Sequence, residues 1–431
     1  MFIKFRNNLL FFQTLLICLI PPSLILGPFL PDLLFSLSGF IFIFLIILEK
    51  KYFLLLNNKF FTFIILWSLY FIFSSLISNE VLLSLEGSLF YFRFGIGALS
   101  VVYLLEKNEN FLNYFTTILL ITLIVLIIHS YFQYFINISL VEFNSNYRLS
   151  GIFGEEKKLG SYILRIVPLF VFILIFRYNL KNQKNYIKFL LFLFLILAEN
   201  LILLSAERNA ILLSFIYIFF FMIILIKTKK VYFFLGPPIV FILLITFIKN
   251  DYLRFDDIKI DLLSEKKIII HEQYTAHFLT ALNIFYDKPI LGSGAKTFRK
   301  LCDYDKYKIV WGSNYAVQTN DEIKDFKLYI GCSTHPHSTY LQLLSETGII
   351  GFIPLMTIFL IMNYMIFKFF FGYKTILSFE AMPIFLLLYI NIFPFSTSGN
   401  FFGNWLSIII YLPIGFLLHA LNKNNDNKFF S

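Results

Sequence analysis

His337 is the residue on which chemistry near neutral pH could turn. It is followed by Ser338-Thr339-Tyr340-Leu341-Gln342-Leu343-Leu344-Ser345-Glu346-Thr347, and then by a Gly348-x-x-Gly351 break that opens a fresh hydrophobic run. An imidazole ionises near neutrality and can take a proton from a hydroxyl. Thr334 and Pro336 read as a helix start, a capping-type residue followed by proline, which puts His337 in the first helical turn. The positive end of the helix dipole there disfavours imidazolium and attracts a diphosphate. A structural histidine bonded to a loop carbonyl fits the same local residues.

Two arginines suit an anionic partner, because a guanidinium stays charged and grips phosphate through two bonds at once. Arg208 follows Leu204-Ser205-Ala206-Glu207 at the mouth of a hydrophobic run, and Arg148 sits in Tyr147-Arg148-Leu149-Ser150-Gly151 just before another. Their plain alternatives are a snorkelling side chain or a Glu207 pair for Arg208, and a loop charge for Arg148. Arg299, Lys296 and Lys300 follow the Gly292-Ser293-Gly294 turn and either add charge near a phosphate or form a solvated face. Arg93 with Glu86, and Arg165, lie inside hydrophobic runs and read as buried pairs that fix packing. His271, His277 and His335 share the His337 region, but no Cys/His spacing fits a metal site, so neither metal nor other cofactor is expected. Cys302 and Cys332 lie thirty residues apart in that region, whereas Cys18 lies in the first hydrophobic run. In an oxidising compartment such a pair reads as a disulfide, which would tie the Arg299 region to His337; two free thiols are the alternative.

The elements that must position these residues are membrane spans. The chain is 58% hydrophobic and 14% charged over 431 residues, with a mean hydropathy of +0.77. A soluble domain is about 45–50% apolar and about 25% charged. The net charge of +10 does not point to nucleic acid, because the basic residues sit at the ends of hydrophobic runs. Phe is so abundant that aromatic stripes carry little information. The first apolar run is long and lacks a small-x-small cleavage site, so no cleavable signal peptide is expected. Runs long enough to cross a bilayer fall near 9–27, 31–48, 60–77, 83–105, 112–135, 159–177, 187–205, 208–227, 231–248, 348–371, 376–394 and 401–420. These are expected to be helices, since lipid offers no partner to free backbone groups.

Basic residues set the orientation. With the N-terminus inside, the cytoplasmic side collects residues such as Lys4, Arg6, Lys50, Lys51, Lys184, Lys229, Lys230 and Lys423, while the short outer loops hold Arg148, Lys157, Lys158 and Arg208. Residues 1–248 then carry nine spans. Residues 249–347 form one large external loop, and 348–431 carry three more spans and a cytoplasmic tail. Within the loop, 272–287 reads as a helix with Phe278, Ala281, Leu282 and Phe285 on one face, lying on the membrane surface and ended by Pro289 and the glycine turn. No internal repeat, P-loop or dinucleotide fingerprint is present.

The His337-Ser338 pair with Gly348 and Gly351 resembles the signature of the bacterial O-antigen ligases and their polymerase relatives. Ser205-x-x-Arg208, the run Pro289-Ile290-Leu291-Gly292-Ser293-Gly294 and Glu346-x-Gly348 support the likeness, which covers mainly Arg148 through Gly351. The resemblance implies a GT-C-like, all-α polytopic protein of about twelve helices with its large periplasmic loop between helices 9 and 10. It implies metal-independent, inverting transfer of a glycan from an undecaprenyl-diphosphate carrier to lipid A core or another acceptor in the inner membrane. Carried over, His337 is the base and Arg208 a diphosphate ligand, with Glu346 and His335 in support. Ligases usually carry a further arginine about fifty residues before the histidine. Here that region reads His271-Glu272-Gln273-Tyr274, leaving the place to Arg299 or Arg148 and leaving a polymerase with a lipid-linked acceptor as an alternative. A transporter of lipid-linked sugars is a remote one, since such proteins usually show repeated halves.

The charge bias predicts that single-Cys variants at Asn314 are labelled from outside the cell and those at Asn424 are not. The reverse pattern would overturn the orientation.

Overall fold

The computed structural model describes residues 2–136, 149–178, 184–228, 272–313, 327–373, 375–423 and 430. Arg148, His271 and the expected span at 231–248 lie outside the described residues. Ten described helices are long and apolar enough to cross a membrane. They are α1 (Ile3–Ser23), α2 (Phe29–Leu48), α3 (Lys59–Leu76), α4 (Val81–Lys107), α5 (Phe111–Ile136), α6 (Leu159–Arg177), α7 (Asn185–Leu204), α8 (Arg208–Ile226), α10 (Thr339–Phe370) and α12 (Asn404–Lys423). Between α8 and α10 lie the helix α9 (Glu272–Asp287) and a small antiparallel ribbon, β1 (Val310–Ser313) against β2 (Lys327–Ile330). The chain is an all-α polytopic membrane protein. Large apolar side chains such as Phe40, Leu66, Ile128 and Phe219 are exposed on its helices, as lipid-facing surfaces require.

Two expected spans differ. Residues 376–394 give a shorter apolar helix, α11 (Phe379–Asn391). Pro383 sits at the start of its α-helical part, and Phe393 precedes Pro394, which disfavours further helix. The helix expected from 348 begins earlier, at Thr339, and is broken at Gly348, where φ is 63° and ψ −172°.

The helices approach closely at glycines. A Cβ at Gly97 would lie 2.5 Å from the Phe35 ring, and one at Gly415 would lie 2.5 Å from the Ala98 carbonyl, so α2, α4 and α12 cross at small residues. Two arginines inside the bundle have fixed partners. Arg93 grips Asp32 through Nε and Nη2 at 3.0 and 3.2 Å, and Asn404 bridges both. Asp32 therefore takes the place expected for Glu86, which is exposed. Arg165 is buried and donates to Asn391 Oδ1 at 2.7 Å and to the Ser161 carbonyl at 2.9 Å.

The break at Gly348 is sealed from two sides. The Tyr70 hydroxyl donates to the Thr347 carbonyl at 2.6 Å, and the Trp67 indole to the Gly351 carbonyl at 3.1 Å. The turn after α9 supplies the rest. Ser293 N–H donates to Ser345 O at 3.0 Å, Gly294 N–H to Glu346 O at 2.7 Å, and Ile349 N–H to Pro289 O at 2.9 Å. Contact is so close that a Cβ at Gly348 would lie 2.3 Å from the Ile290 carbonyl oxygen. Its backbone conformation is also one that glycine alone adopts readily, at a cost of about 1–3 kcal/mol for other residues. Gly348→Ala should therefore lower the thermal midpoint of the detergent-solubilised protein and weaken the docking of the 289–298 turn. An unchanged midpoint would contradict this account of the break.

Candidate functional site

His337 does not lie in the first turn of α10. The cap is Ser338, with extended φ/ψ of −139° and 119°, and its hydroxyl accepts from Leu341 N–H at 3.4 Å. His337 stands one residue ahead of the cap with φ 56°, a left-handed conformation that is costly for a non-glycine residue. Its carbonyl accepts from Ser398 N–H at 2.9 Å. Strain of this kind gathers where a side chain must be aimed.

The ring of His337 is half-buried among three others. The His335 ring centroid lies 4.2 Å away, that of His277 5.4 Å and that of Tyr274 5.5 Å. Burial, then the cationic forms of His335 and His277, push the His337 imidazolium down to about 4. This favours the neutral ring near pH 7, through desolvation and like charge rather than a helix dipole.

His335 is held at both nitrogens. Nε2 lies 3.2 Å from the Ser398 carbonyl and Nδ1 3.0 Å from the Thr334 hydroxyl. A carbonyl only accepts, so Nε2 carries the proton and Nδ1 accepts from the hydroxyl. Burial lowers its ionisation against the pull of the Ser398 carbonyl, with His277 and Arg299 adding to the fall. His277, on α9, is buried and donates to the Gly331 carbonyl; burial lowers its ionisation too.

Arg208 is the first residue of α8. The carboxylate of Glu207 beside it is spent elsewhere, on the start of α6. It accepts from Gly160 N–H at 2.6 Å, Ser161 N–H at 3.1 Å and the Ser161 hydroxyl at 2.6 Å. Burial raises the Glu207 carboxyl, and these donors with Arg165 oppose the rise. The next residue on α8, Asn209, donates its amide to the Thr397 carbonyl at 2.7 Å. Residues 397 and 398 thus touch both the start of α8 and the His337 turn.

Arg299 lies on the one-turn helix Phe298–Leu301 and is exposed. Its charge depresses the ionisation of both His335 and Lys296, which sets it at the edge of the histidine cluster. Lys296 is half-buried, and burial is the main cause of its lowered ionisation. Lys300 points away, to Glu80 at 2.6 Å. Glu346 is fully buried. Its carboxylate accepts from Lys296 N–H at 3.0 Å, Phe298 N–H at 3.1 Å and the Gln342 amide at 3.0 Å. That makes it the anchor of the 293–298 turn and leaves it closed to substrate.

The sulfurs of Cys302 and Cys332 are bonded, joining the end of the Arg299 helix to the segment after β2 that leads into His335. Among the described residues, Cys302, Asp303 and Cys332 bring three ligand-type atoms within 4.8 Å of one another. Disulfide sulfurs are not thiolates, so this trio is not a metal site.

The structure thus packs His337 against His335, with Arg299 near enough to lower the ionisation of His335, and the loop at 397–398 touches both this turn and the start of α8. Tyr274, the 397–398 loop and Asn209 carried no readable sequence signal as part of this site, and His277 was weighed only as a metal ligand. A pattern search finds spacing along the chain, and Thr397 and Ser398 lie far from His337 in sequence.

Residues 191–356 match the family model described as O-antigen ligase. The matched stretch contains Arg208, Arg299, His335, His337, Glu346, Gly348 and Gly351, and over it the chain is similar to the O-antigen ligase family. The match supports activity of the O-antigen ligase or polymerase type in general, with a lipid-linked glycan and an acceptor as partners. No curated protein matches the chain.

The disulfide closes a loop with a sequence separation of 30. On the chain-entropy model it contributes about 3–4 kcal/mol. Cys302→Ser should lower the thermal midpoint and loosen the 298–337 region to proteolysis. Free thiols in exported protein, found by non-reducing mass spectrometry, would remove the disulfide from the site.

Proposed function

We propose that the protein transfers a glycan, with inversion, from an undecaprenyl-diphosphate carrier to an acceptor at the periplasmic face of the inner membrane, with both termini cytoplasmic. The acceptor is lipid A core or another surface glycan. A polymerase with a lipid-linked glycan acceptor shares the same chemistry. The observation that carries the reading is His337, a neutral imidazole on a strained turn at a membrane boundary, within a stretch that matches the O-antigen ligase family.

An acceptor hydroxyl attacks C1 of the donor sugar while His337 takes its proton. The C1–O bond to the diphosphate breaks, and the bonding electrons leave with the diphosphate. Arg208 holds that growing charge, with Arg299 and Arg148 as further cations, so the transition state gains more than the ground state. A base ionising near 4 is weak in the free protein. A diphosphate bound close by favours the imidazolium and lifts its pKa toward the working pH, which makes the base competent when donor is present.

Several outcomes test this, using transfer from purified undecaprenyl-diphosphate glycan in nanodiscs. His337→Ala should lose about 100- to 10,000-fold. Arg208→Lys should be severely impaired although charge is kept, since an ammonium lacks the two-pronged contact. Chelators should change nothing. A base must be deprotonated, so activity falls as pH drops through its pKa. The acid limb of kcat/KM should lie near the free value of about 4, and that of kcat at higher pH. Near-normal transfer by His337→Ala at matched expression would rule out His337 as the base.

A further inference from the structure

We infer that Asn209 is a positioning residue that keeps the Arg208 end of α8 in register with the His337 turn, acting through the loop at 397–398. The inference rests on the reading in which His337 is the base and Arg208 a diphosphate ligand. The Asn209 amide donates to the Thr397 carbonyl at 2.7 Å. The next residue, Ser398, donates its N–H to the His337 carbonyl at 2.9 Å, and its own carbonyl accepts from the His335 ring at 3.2 Å. Its hydroxyl accepts from Thr339 at 2.7 Å. Adjacent residues of one loop are therefore held by α8 on one side and by the histidine turn on the other.

The loop between α11 and α12 has no regular structure at 397–400. Its placement depends on such side-chain ties. His337 is held at a positive φ while the Ser398 N–H binds its carbonyl, so movement of the loop relaxes the turn that aims the ring. A base and a leaving-group ligand on separate segments must keep their spacing, because a misplacement of about 1 Å can cost about 100-fold in rate. Asn209 is a side chain that ties the Arg208 helix to this loop. It touches neither reacting atom, so its effect falls on turnover rather than on binding.

The test uses the full-length protein in nanodiscs. Asn209→Ala should lower kcat about 10- to 100-fold with little change in donor KM, at an unchanged thermal midpoint. Asn209→Gln keeps an amide donor and should recover part of the loss. Hydrogen exchange of the Ser398 amide should quicken in Asn209→Ala and not in Asn209→Gln. Wild-type kcat in Asn209→Ala, or a loss of kcat matched by a fall in thermal midpoint with slow exchange at Ser398, would overturn the inference. His337→Ala is assayed alongside. If it still transfers glycan, the base assignment falls, while the Ser398 exchange rates still report whether Asn209 holds the loop.

Discussion

A helix opened within apolar surroundings exposes backbone groups that lipid cannot satisfy, and α10 is open at Gly348. The rest of the His337 face follows from how that opening is closed. Tyr70 and Trp67 on α3 take two carbonyls from one side. The Pro289–Gly294 turn takes the other side through Ser345, Glu346 and Ile349. Closing the break thus docks the segment after α9 onto the bundle. The buried Glu346 carboxylate then fixes the N–H groups of Lys296 and Phe298, which orients the short helix bearing Arg299. The disulfide leads from that helix to the segment after β2 that delivers His335 and His337. A loop segment that could otherwise wander is located by a defect in a helix.

The second constraint is electrostatic. Three imidazoles within 5.4 Å of His337 or closer, counting that ring, cannot all be cationic at once, and each is partly or fully desolvated. All three are driven towards neutrality. His335 and His277 already have backbone partners, the Ser398 and Gly331 carbonyls. Those bonds fix which nitrogen carries the proton and stiffen both rings. His337 has its carbonyl held by Ser398 and its ring packed against Tyr274, and on the proposed reading that ring is the member of the cluster that exchanges a proton with substrate.

The sequence was most readable where hydrophobic length and charge decide. Ten spans, the helix at 272–287 and the role of the 289–294 turn as a stop are all written in local composition. His337 and its glycine spacing were also visible, because together they resemble the O-antigen ligase signature. Local reasoning failed where a tertiary contact overrode it. Thr334 and Pro336 suggested a helix start, but Ser338 wins the cap. Glu86 was the nearest carboxylate to Arg93 in sequence, yet Asp32 is nearer in space across a helix crossing. Residues 376–394 were apolar enough to span, but the chain leaves the helix at Ile392 to bring Thr397 and Ser398 to the histidines. None of these partners lies at a spacing that periodicity could reveal.

The distribution of carboxylates bears on the chemistry. Glu207 caps α6 and Glu346 is saturated by three N–H donors in a fully buried pocket. Neither is placed to trade a proton with a sugar hydroxyl. A glycoside hydrolase needs two such carboxyls, one to protonate an otherwise poor alkoxide leaving group. On the proposed reading no acid is required, because a diphosphate departs as a stable anion and wants only cations near it. One neutral base and nearby guanidinium groups then suffice. Glu207 and Glu346 thus serve the architecture, and on the proposed reading His337 and the arginines are left to do what transfer from a diphosphate carrier calls for.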